Sequence, residues 1–413
     1  MGSVRTAGLA DFTDSAAAVI ASQKPVDAGT AAPETPGGLR SRFGNALRFA
    51  FPALLTYVAI RAVGVLVLWV FARHAGVSVL EILGERFDSV GYLQIAEHGY
   101  DLTLHTKPDG TLTTTNLTFF PLFPALIALV KTITFLPTPI AGILVAWTAG
   151  LVAAWGIFAL GSHLADRRTG VMLVALWAAL PAAIVESMAY SETLFTAIVA
   201  WTLLAVLKRQ WLLAAALTVL GGLSRPSATA LVAAVCVAAL IAIIQRWDGW
   251  RPWAALAVAP LGYAGYVAWV SAVVGRADGY FYIQRHAWNI GFDGGRDTAR
   301  RFVRLLTEST SLTYYVSAFA ILVAVALLLL TLMDRQPWPL WVFSLTLIVL
   351  TLGTSHYFWA KGRYLIPAFT LLLPIAVSLA RTKGRTMVVV LGFLVLLSAW
   401  YGTYLTLIWK YSP

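Results

Sequence analysis

The sequence predicts an all-α polytopic membrane protein, a bundle of about eleven transmembrane helices. Two compositional facts and one pattern predict it. Of 413 residues, 59% are hydrophobic and only 12% charged, where a soluble domain carries roughly 25% charged residues. The mean hydropathy is +0.77, and long apolar runs recur along the chain. The 16 Trp and 15 Tyr suit a protein with two membrane interfaces, where amphipathic rings settle. The net charge of +11 orients loops or faces anionic lipid, so membrane lipid is an expected partner and nucleic acid is not. Cys236, the single cysteine, lies in an apolar run, forms no internal disulfide and reads as a small core residue.

The elements follow in order. Residues 1–45 are rich in Ala, Gly, Pro, Thr and Ser, bury too little to fold, and are expected to be a disordered cytoplasmic tail without a signal peptide. Arg40, Arg42 and Arg48 then mark a cytoplasmic end. Residues 46–413 are expected to form the transmembrane domain. A span needs about 20 apolar residues. Candidate spans lie near 50–73, 140–163, 171–189, 191–207, 211–224, 226–245, 253–274, 313–333, 338–354, 364–380 and 386–408. Gly221, Gly222 and Pro226 interrupt the stretch 211–245. The apolar stretch 119–135 is short and opens on Pro121 and Pro124, so it is expected as an interfacial or re-entrant helix. With the amino terminus inside, the inner loops hold Arg167 and Arg168, Lys208 and Arg209, Arg246 and Arg251, Arg335, and Arg381, Lys383 and Arg385. Arg300, Arg301 and Arg304 fall outside on this topology, against the positive-inside trend.

The polar motifs then gather on the outer side. Asp88 opens a short amphipathic stretch with Ser89, Tyr92, Ile95 and Ala96. Asp88 or Ser89 could cap that helix; alternatively the carboxylate stands over a cavity as a general base, beside a pocket sized for a lipid-linked hexose. Tyr190, Ser191 and Glu192 follow a span; Ser191 reads as an N-cap, or the group binds ligand. Arg225 lies at a depth where a cation needs an anion, unless it snorkels to the interface. Arg61, midway through the first span, poses the same question. Gln284, His286, Trp288 and Asn289 interleave with aromatics, as in carbohydrate sites. His356, Tyr357, Lys361, Arg363 and Tyr364 form the last outer cluster, whose basic groups could hold a phosphate. There is no Asp-x-Asp pair, no paired histidines, no Walker loop and no dinucleotide glycine pattern. No metal ligands stand out, and an ATP-driven mechanism is not expected.

Several segments resemble the GPI mannosyltransferase II (PIG-V-like) family of the GT-C glycosyltransferase superfamily. They are Phe87-Asp88-Ser89 with Tyr92, Ile95-Ala96 and Gly99-Tyr100; Phe119-Phe120-Pro121-Leu122-Phe123-Pro124; Tyr190-Ser191-Glu192-Thr193-Leu194-Phe195; and Tyr282-Ile283-Gln284 with His286, Trp288, Gly291 and Phe292. The order is preserved across most of residues 50–370. Phe87 stands where the family carries Trp. The resemblance implies a GT-C-type bundle with interfacial helices in the first outer loop. It implies an inverting enzyme that moves mannose from a polyprenyl-phosphate carrier to a glycan, glycolipid or protein on the extracytoplasmic side. Asp88 would be the base. Arg363 with Arg225, His356 or Lys361 would hold the donor phosphate. Ser89, Tyr92, Tyr190, Glu192, Gln284, His286 and Trp288 would hold sugar or acceptor. Superfamily members differ in needing a divalent metal, so that cofactor is left open. The Ala/Arg-rich tail and compact loops suggest a bacterial plasma membrane. A lipid or sugar transporter, and a GT-C enzyme for another sugar, are the competing readings; Arg61 and the glycine break near residue 221 favour the transporter.

Overall fold

A computed structural model describes the backbone of residues 39–413 and the side chains from Gly44 onward. The expected tail therefore lies outside the described residues, apart from its last few, which already begin a helix. The chain divides into residues 1–49 and 50–413; the architecture below is that of the second unit.

Eighteen α-helices follow one another among the described residues. They are α1 (Leu39–His74), α2 (Val79–Gly84), α3 (Asp88–His98), α4 (Leu122–Thr134), α5 (Thr138–Leu164), α6 (Arg167–Ala178), α7 (Glu192–Leu207), α8 (Trp211–Gly222) and α9 (Ala228–Ile244). Then come α10 (Arg251–Val258), α11 (Leu261–Val274), α12 (Gly279–Ala287), α13 (Arg296–Thr307), α14 (Leu312–Met333), α15 (Trp338–Gly353), α16 (Lys361–Tyr364), α17 (Leu373–Ala380) and α18 (Gly384–Leu407). No strand forms among the described residues; the bridges Thr106–Leu112 and Phe292–Thr354 stand alone. The protein is all-α, as the composition requires.

The span count differs from the expected eleven. Among the described residues, five helical stretches are long and apolar enough to cross a membrane, namely Gly44–His74, Thr138–Leu164, Arg251–Val274, Leu312–Met333 and Gly384–Leu407. A sixth is the bent pair Phe358–Tyr364 and Phe369–Ala380, whose halves turn through 73°. The other expected spans are apolar helices of 10–17 residues or, for 171–189, the 12-residue α6 followed by a 3-10 turn at Ala183–Glu186. The physical reason is length. Seventeen residues of α-helix rise only about 26 Å, against a hydrocarbon thickness of about 30 Å. Apolar runs in the sequence continue through breaks that the backbone does not.

Side-chain contacts join several loops. Arg168 donates to the Thr382 carbonyl at 3.1 Å, joining two of the basic loops. Arg209 meets Asp248 at 3.8 Å, and Trp211 donates to the same carboxylate at 2.7 Å, joining two more. Among the polar segments, Trp288 donates to Thr115, Ser355 to Gly291 and Leu122 to the Leu223 carbonyl. Helix α4 is bonded through Leu122 at its start and through Lys131, 3.5 Å from Glu97 of α3, near its end; with 13 residues it is shorter than a span.

Two features of the sequence acquire structural roles. Gly222 of α8 meets the backbone of Gly262 and Tyr263 in α11, where a Cβ would collide with main-chain atoms. The glycine pair thus marks a close helix crossing of the small-residue kind. Arg61 of α1 is buried and pairs with Glu186 at 3.6 Å, while its Nη1 donates to the Ala183 carbonyl at 2.5 Å. Removing one member of a buried pair costs about 3–5 kcal/mol, whereas an apolar pair of similar volume is near neutral. Arg61→Met is therefore expected to lower thermal stability in detergent sharply, and Arg61→Met/Glu186→Met to recover most of it; equal Tm values for the single and double variants would contradict the pairing.

Candidate active site

Asp88 is the first residue of α3, reached through a tight passage from α2. Phe87, immediately before it, has φ +56°, a region non-glycine residues seldom occupy and which costs on the order of 1–3 kcal/mol. The turn is held by its surroundings. The Ala189 amide donates to the Leu83 carbonyl at 2.7 Å, and the Asp88 amide donates to the Tyr190 hydroxyl at 3.2 Å. Gly91, one turn along, lies against the Phe119 ring where a Cβ would collide. This close approach lets Phe119 meet Tyr92 edge-on at 4.9 Å.

Neither capping reading holds. The Asp88 side chain makes no cap hydrogen bond; its carboxylate meets Arg363 Nη1 at 2.9 Å. Ser191 sits at the cap position of α7 without capping it. Its hydroxyl instead shares a 2.7 Å hydrogen bond with Tyr92 and accepts from Arg225 Nη1 at 3.4 Å. Arg225 does not snorkel. Its Nη1 lies 2.6 Å from Glu192 Oε1, and Arg363 Nε reaches the same oxygen at 3.3 Å. Arg363 Nη1 also donates to Ser412 Oγ at 2.8 Å, which lies 3.2 Å from the Tyr190 hydroxyl. The Arg363 guanidinium stands 5.3 Å from the Tyr190 ring centre and 5.4 Å from that of Tyr364.

The result is a compact chain of charge, Asp88–Arg363–Glu192–Arg225. Two carboxylates face two guanidiniums, so the cluster is formally neutral. Side-chain exposures are 27% for Asp88, 6% for Arg363, 2% for Glu192 and 13% for Arg225. Solvent therefore reaches the cluster chiefly at Asp88. Burial pushes the Tyr92 phenol well above its ordinary value, so it stays protonated beside Ser191. Ser89, next to Asp88, and Ser224, next to Arg225, carry buried hydroxyls without a hydrogen-bond partner. Such orphaned groups at the two ends of the cluster are unusual in a closed core and call for an explanation.

The aromatic segment joins this cluster through rings. Trp288 donates Nε1–H to the Thr115 carbonyl at 3.2 Å and meets Phe119 edge-on at 5.8 Å; Phe119 in turn touches Tyr92. Gln284 donates to the Tyr280 hydroxyl at 2.8 Å and leaves its buried Oε1 without a partner. His286 is exposed, its ring 4.2 Å from that of Tyr282, with Nδ1 bonded to the Tyr282 carbonyl.

Two residues assigned to a phosphate lie elsewhere. Lys361 is fully buried, and its ammonium bonds Thr298 Oγ1 at 2.7 Å and the carbonyls of Thr351 at 2.7 Å and Thr354 at 2.6 Å. An ammonium has three donors, and these contacts use them, so Lys361 staples α13 to the end of α15. His356 is exposed and accepts from, or donates to, Asn289 at 3.1 Å, while its backbone N–H bonds Asp297. Its ring bonds Asn289 and not Arg363, and His356 and Tyr357 together form a left-handed turn, φ +60° and +48°. Lys361 is two residues from Arg363 and His356 seven, yet neither side chain joins the Arg363 cluster.

An open groove of about 440 Å³ follows α3, lined by Glu85, Val90, Leu93, Gln94, Glu97 and Pro139. Positions 90, 93, 94 and 97 share one helix face, and Asp88 and Tyr92 fall on the other. The groove thus starts one turn from Asp88 and opens away from the charge cluster. Glu97, in its wall, accepts from the Thr138 hydroxyl and lies near Lys131; the first of these chiefly holds its carboxyl below the usual range. Among the described residues no group of three or more His, Cys, Asp or Glu side chains is placed to hold a metal.

Sequence reasoning missed Ser412 and Ser224, and read Ser191 as a cap or as part of a ligand-binding group. Ser191 and Ser224 adjoin residues already singled out, so adjacency was the available signal. Ser412 had none, because it arrives from the far end of the chain.

No family model matches the chain, and no curated protein matches it. Among solved structures it is similar to the apo form of the oligosaccharyltransferase of Archaeoglobus fulgidus, with 13% identity and a TM-score of 0.44 over 85% of this chain and 55% of that one. It is also similar to the same protein tethered by a disulfide bond to an acceptor peptide containing the NVT sequon, with 13% identity and a TM-score of 0.41 over 86% and 56%. The chain spans a little over half the length of those solved chains.

The cluster predicts its own response to anions. Glu192→Leu leaves two adjacent guanidiniums without their shared carboxylate, at a cost of about 3–5 kcal/mol. Its Tm is expected to fall and to be partly restored by millimolar inorganic phosphate, which occupies the vacated place; a Tm indifferent to phosphate would contradict access to these cations.

Proposed function

We propose that the chain is a GT-C-type membrane glycosyltransferase that moves mannose, with inversion, from polyprenyl-phosphate mannose to an acceptor on the extracytoplasmic side. The observation that carries this reading is the convergence of Asp88, Glu192, Arg225 and Arg363, drawn from four separate segments, with only Asp88 substantially open to solvent. The sequence motifs that resemble the PIG-V-like family supply the sugar and the donor.

The chemistry is one displacement. The acceptor hydroxyl oxygen attacks the anomeric carbon, the bond from that carbon to the phosphate oxygen breaks, and the hydroxyl proton passes to the Asp88 carboxylate. The leaving polyprenyl phosphate gains about one further negative charge as it becomes a monoester. Arg363 is suited to that charge: a guanidinium fork binds phosphate bidentately and stabilises charge that develops in the transition state. In the free protein Arg363 is held by Asp88 and Glu192. A donor phosphate that takes the Asp88 place on Arg363 releases the carboxylate to face the acceptor. One arrangement thus links donor binding to readiness of the base. Arg225 holds Glu192 in place, and the pair positions the fork. On this reading Tyr190 and the hydroxyls of Ser89 and Tyr92 orient sugar or acceptor. Trp288, which meets Phe119, and the more remote Gln284 and His286 are assigned to the acceptor.

The two features that favoured a transporter have structural roles: Arg61 is paired with Glu186, and Gly222 serves a helix crossing. A membrane preparation supplied with radiolabelled polyprenyl-phosphate mannose is expected to transfer label to endogenous lipid glycan or protein. Asp88→Asn is expected to reduce that transfer by roughly 10²–10⁴-fold, with a smaller loss of Tm than Glu192→Leu because the amide oxygen still accepts from Arg363 and position 88 is the more exposed; retention of most activity removes Asp88 from the base role. Arg363→Ala is expected to raise KM for the donor far more than for the acceptor, and equal effects on both would count against the phosphate assignment.

A further inference from the structure

Helix α13 carries a surface that the glycosyl-transfer reading does not use. Its inward side is anchored. Leu305 is buried with Phe302 and Tyr314 around Phe358, Arg301 lies over the Tyr314 ring at 5.1 Å, and Thr298 accepts from Lys361. The outward side presents Arg296, Arg300 and Arg304, all exposed, spaced four residues apart in one row. Beside that row stand Val303, 63% exposed, and Leu306, 89% exposed. A strip of arginines next to a strip of bare aliphatic side chains is the pattern of a helix lying in a membrane interface.

Chain continuity puts the helix at that depth. Four residues, 308–311, separate α13 from α14, one of the five stretches long enough to cross the membrane. Phe319, 67% exposed, and Tyr315, 43% exposed, lie on the first turns of α14. The apolar strip of α13 therefore adjoins lipid-facing surface. Acids nearby do little to neutralise the row. Asp297 is engaged by the His356 amide, and Asp293 accepts from the amides of Gly295 and Asp297 at the start of the helix. Glu308 lies 3.9 Å from Arg304, leaving Arg296 and Arg300 as the exposed cations of the row farther from an acid.

We infer that α13 is a lipid-contacting interfacial helix whose Arg296–Arg300–Arg304 row binds the head groups of anionic bilayer phospholipids while Val303 and Leu306 enter the acyl boundary. Each basic side chain near an anionic membrane surface contributes on the order of 1 kcal/mol. This also accounts for basic residues that run against the loop-charge trend, because they serve lipid contact and not orientation. The site is separate from the Asp88 cluster, so its test does not depend on catalysis.

The full chain with Cys236→Ala and Leu306→Cys, labelled with bimane and reconstituted in vesicles, tests the inference. Quenching by brominated phosphatidylglycerol and by brominated phosphatidylcholine is compared at equal mole fraction. The expected result is at least about twofold stronger quenching by the anionic lipid, reduced to parity in Arg300→Gln/Arg304→Gln. Equal quenching by the two lipids would overturn head-group binding. Absence of quenching would overturn the interfacial placement. Preference that survives in the arginine variant would overturn the assignment to this row. The label at Val303→Cys, on the same strip, guards against a local perturbation at position 306 and is expected to behave alike.

Discussion

The arrangement turns on the cost of holding arginine away from water. A guanidinium that is 6% exposed cannot stand alone, because desolvation of an ion costs several kcal/mol unless opposite charge and hydrogen bonds replace the lost water. Arg363 is compensated from two directions: its Nη1 meets Asp88 at 2.9 Å and donates to Ser412 Oγ, and its Nε lies 3.3 Å from Glu192 as an ion pair without a hydrogen bond. Glu192 in turn is satisfied by Arg225. Each charge needs its neighbour, so the segments that carry them must be brought to one point and kept there.

The irregular parts of the fold serve that requirement. The backbone turns at Phe87, at His356 and at Tyr357 are all in a region that non-glycine residues avoid, and they flank Asp88 and Arg363. Strain of this kind persists only where surrounding contacts over-determine it. Those contacts are visible: Tyr190 receives the Asp88 amide, and Lys361 ties α13 to the carbonyls that precede the His356 turn. Lys361 thus matters to the site as a staple two residues from Arg363. The short apolar helices have the same logic. Two of their breaks, before Glu192 and between Gly222 and Ala228, carry Ser191, Glu192 and Arg225 into the cluster.

Much of the site was legible because chemistry in a membrane protein leaves a local signature. A carboxylate or arginine amid apolar residues needs a reason, and Asp88, Glu192, Arg225 and Arg363 all stood out on that ground. What the residues could not disclose was pairing. Arg61 had no visible partner until Glu186 was brought beside it. Lys361 and Arg363 looked equivalent as neighbouring cations, yet helical geometry sends one into a cage of carbonyls and the other to two carboxylates. Ser412, more than two hundred residues from Tyr190 in the chain, had no local mark at all.

The sequence by itself determined the solvent and the helical class. Those follow from hydropathy and from the cost of bare backbone in lipid, both of which are summed along the chain. Only the tertiary structure decided how many helices are long enough to cross, which charges neutralise one another, and which face of α3 meets the cluster. Helix breaks depend on where tertiary contacts can satisfy the freed backbone groups. Ion pairing depends on distances of about 3 Å between residues a hundred or more positions apart. Neither quantity is a property of any local stretch of residues.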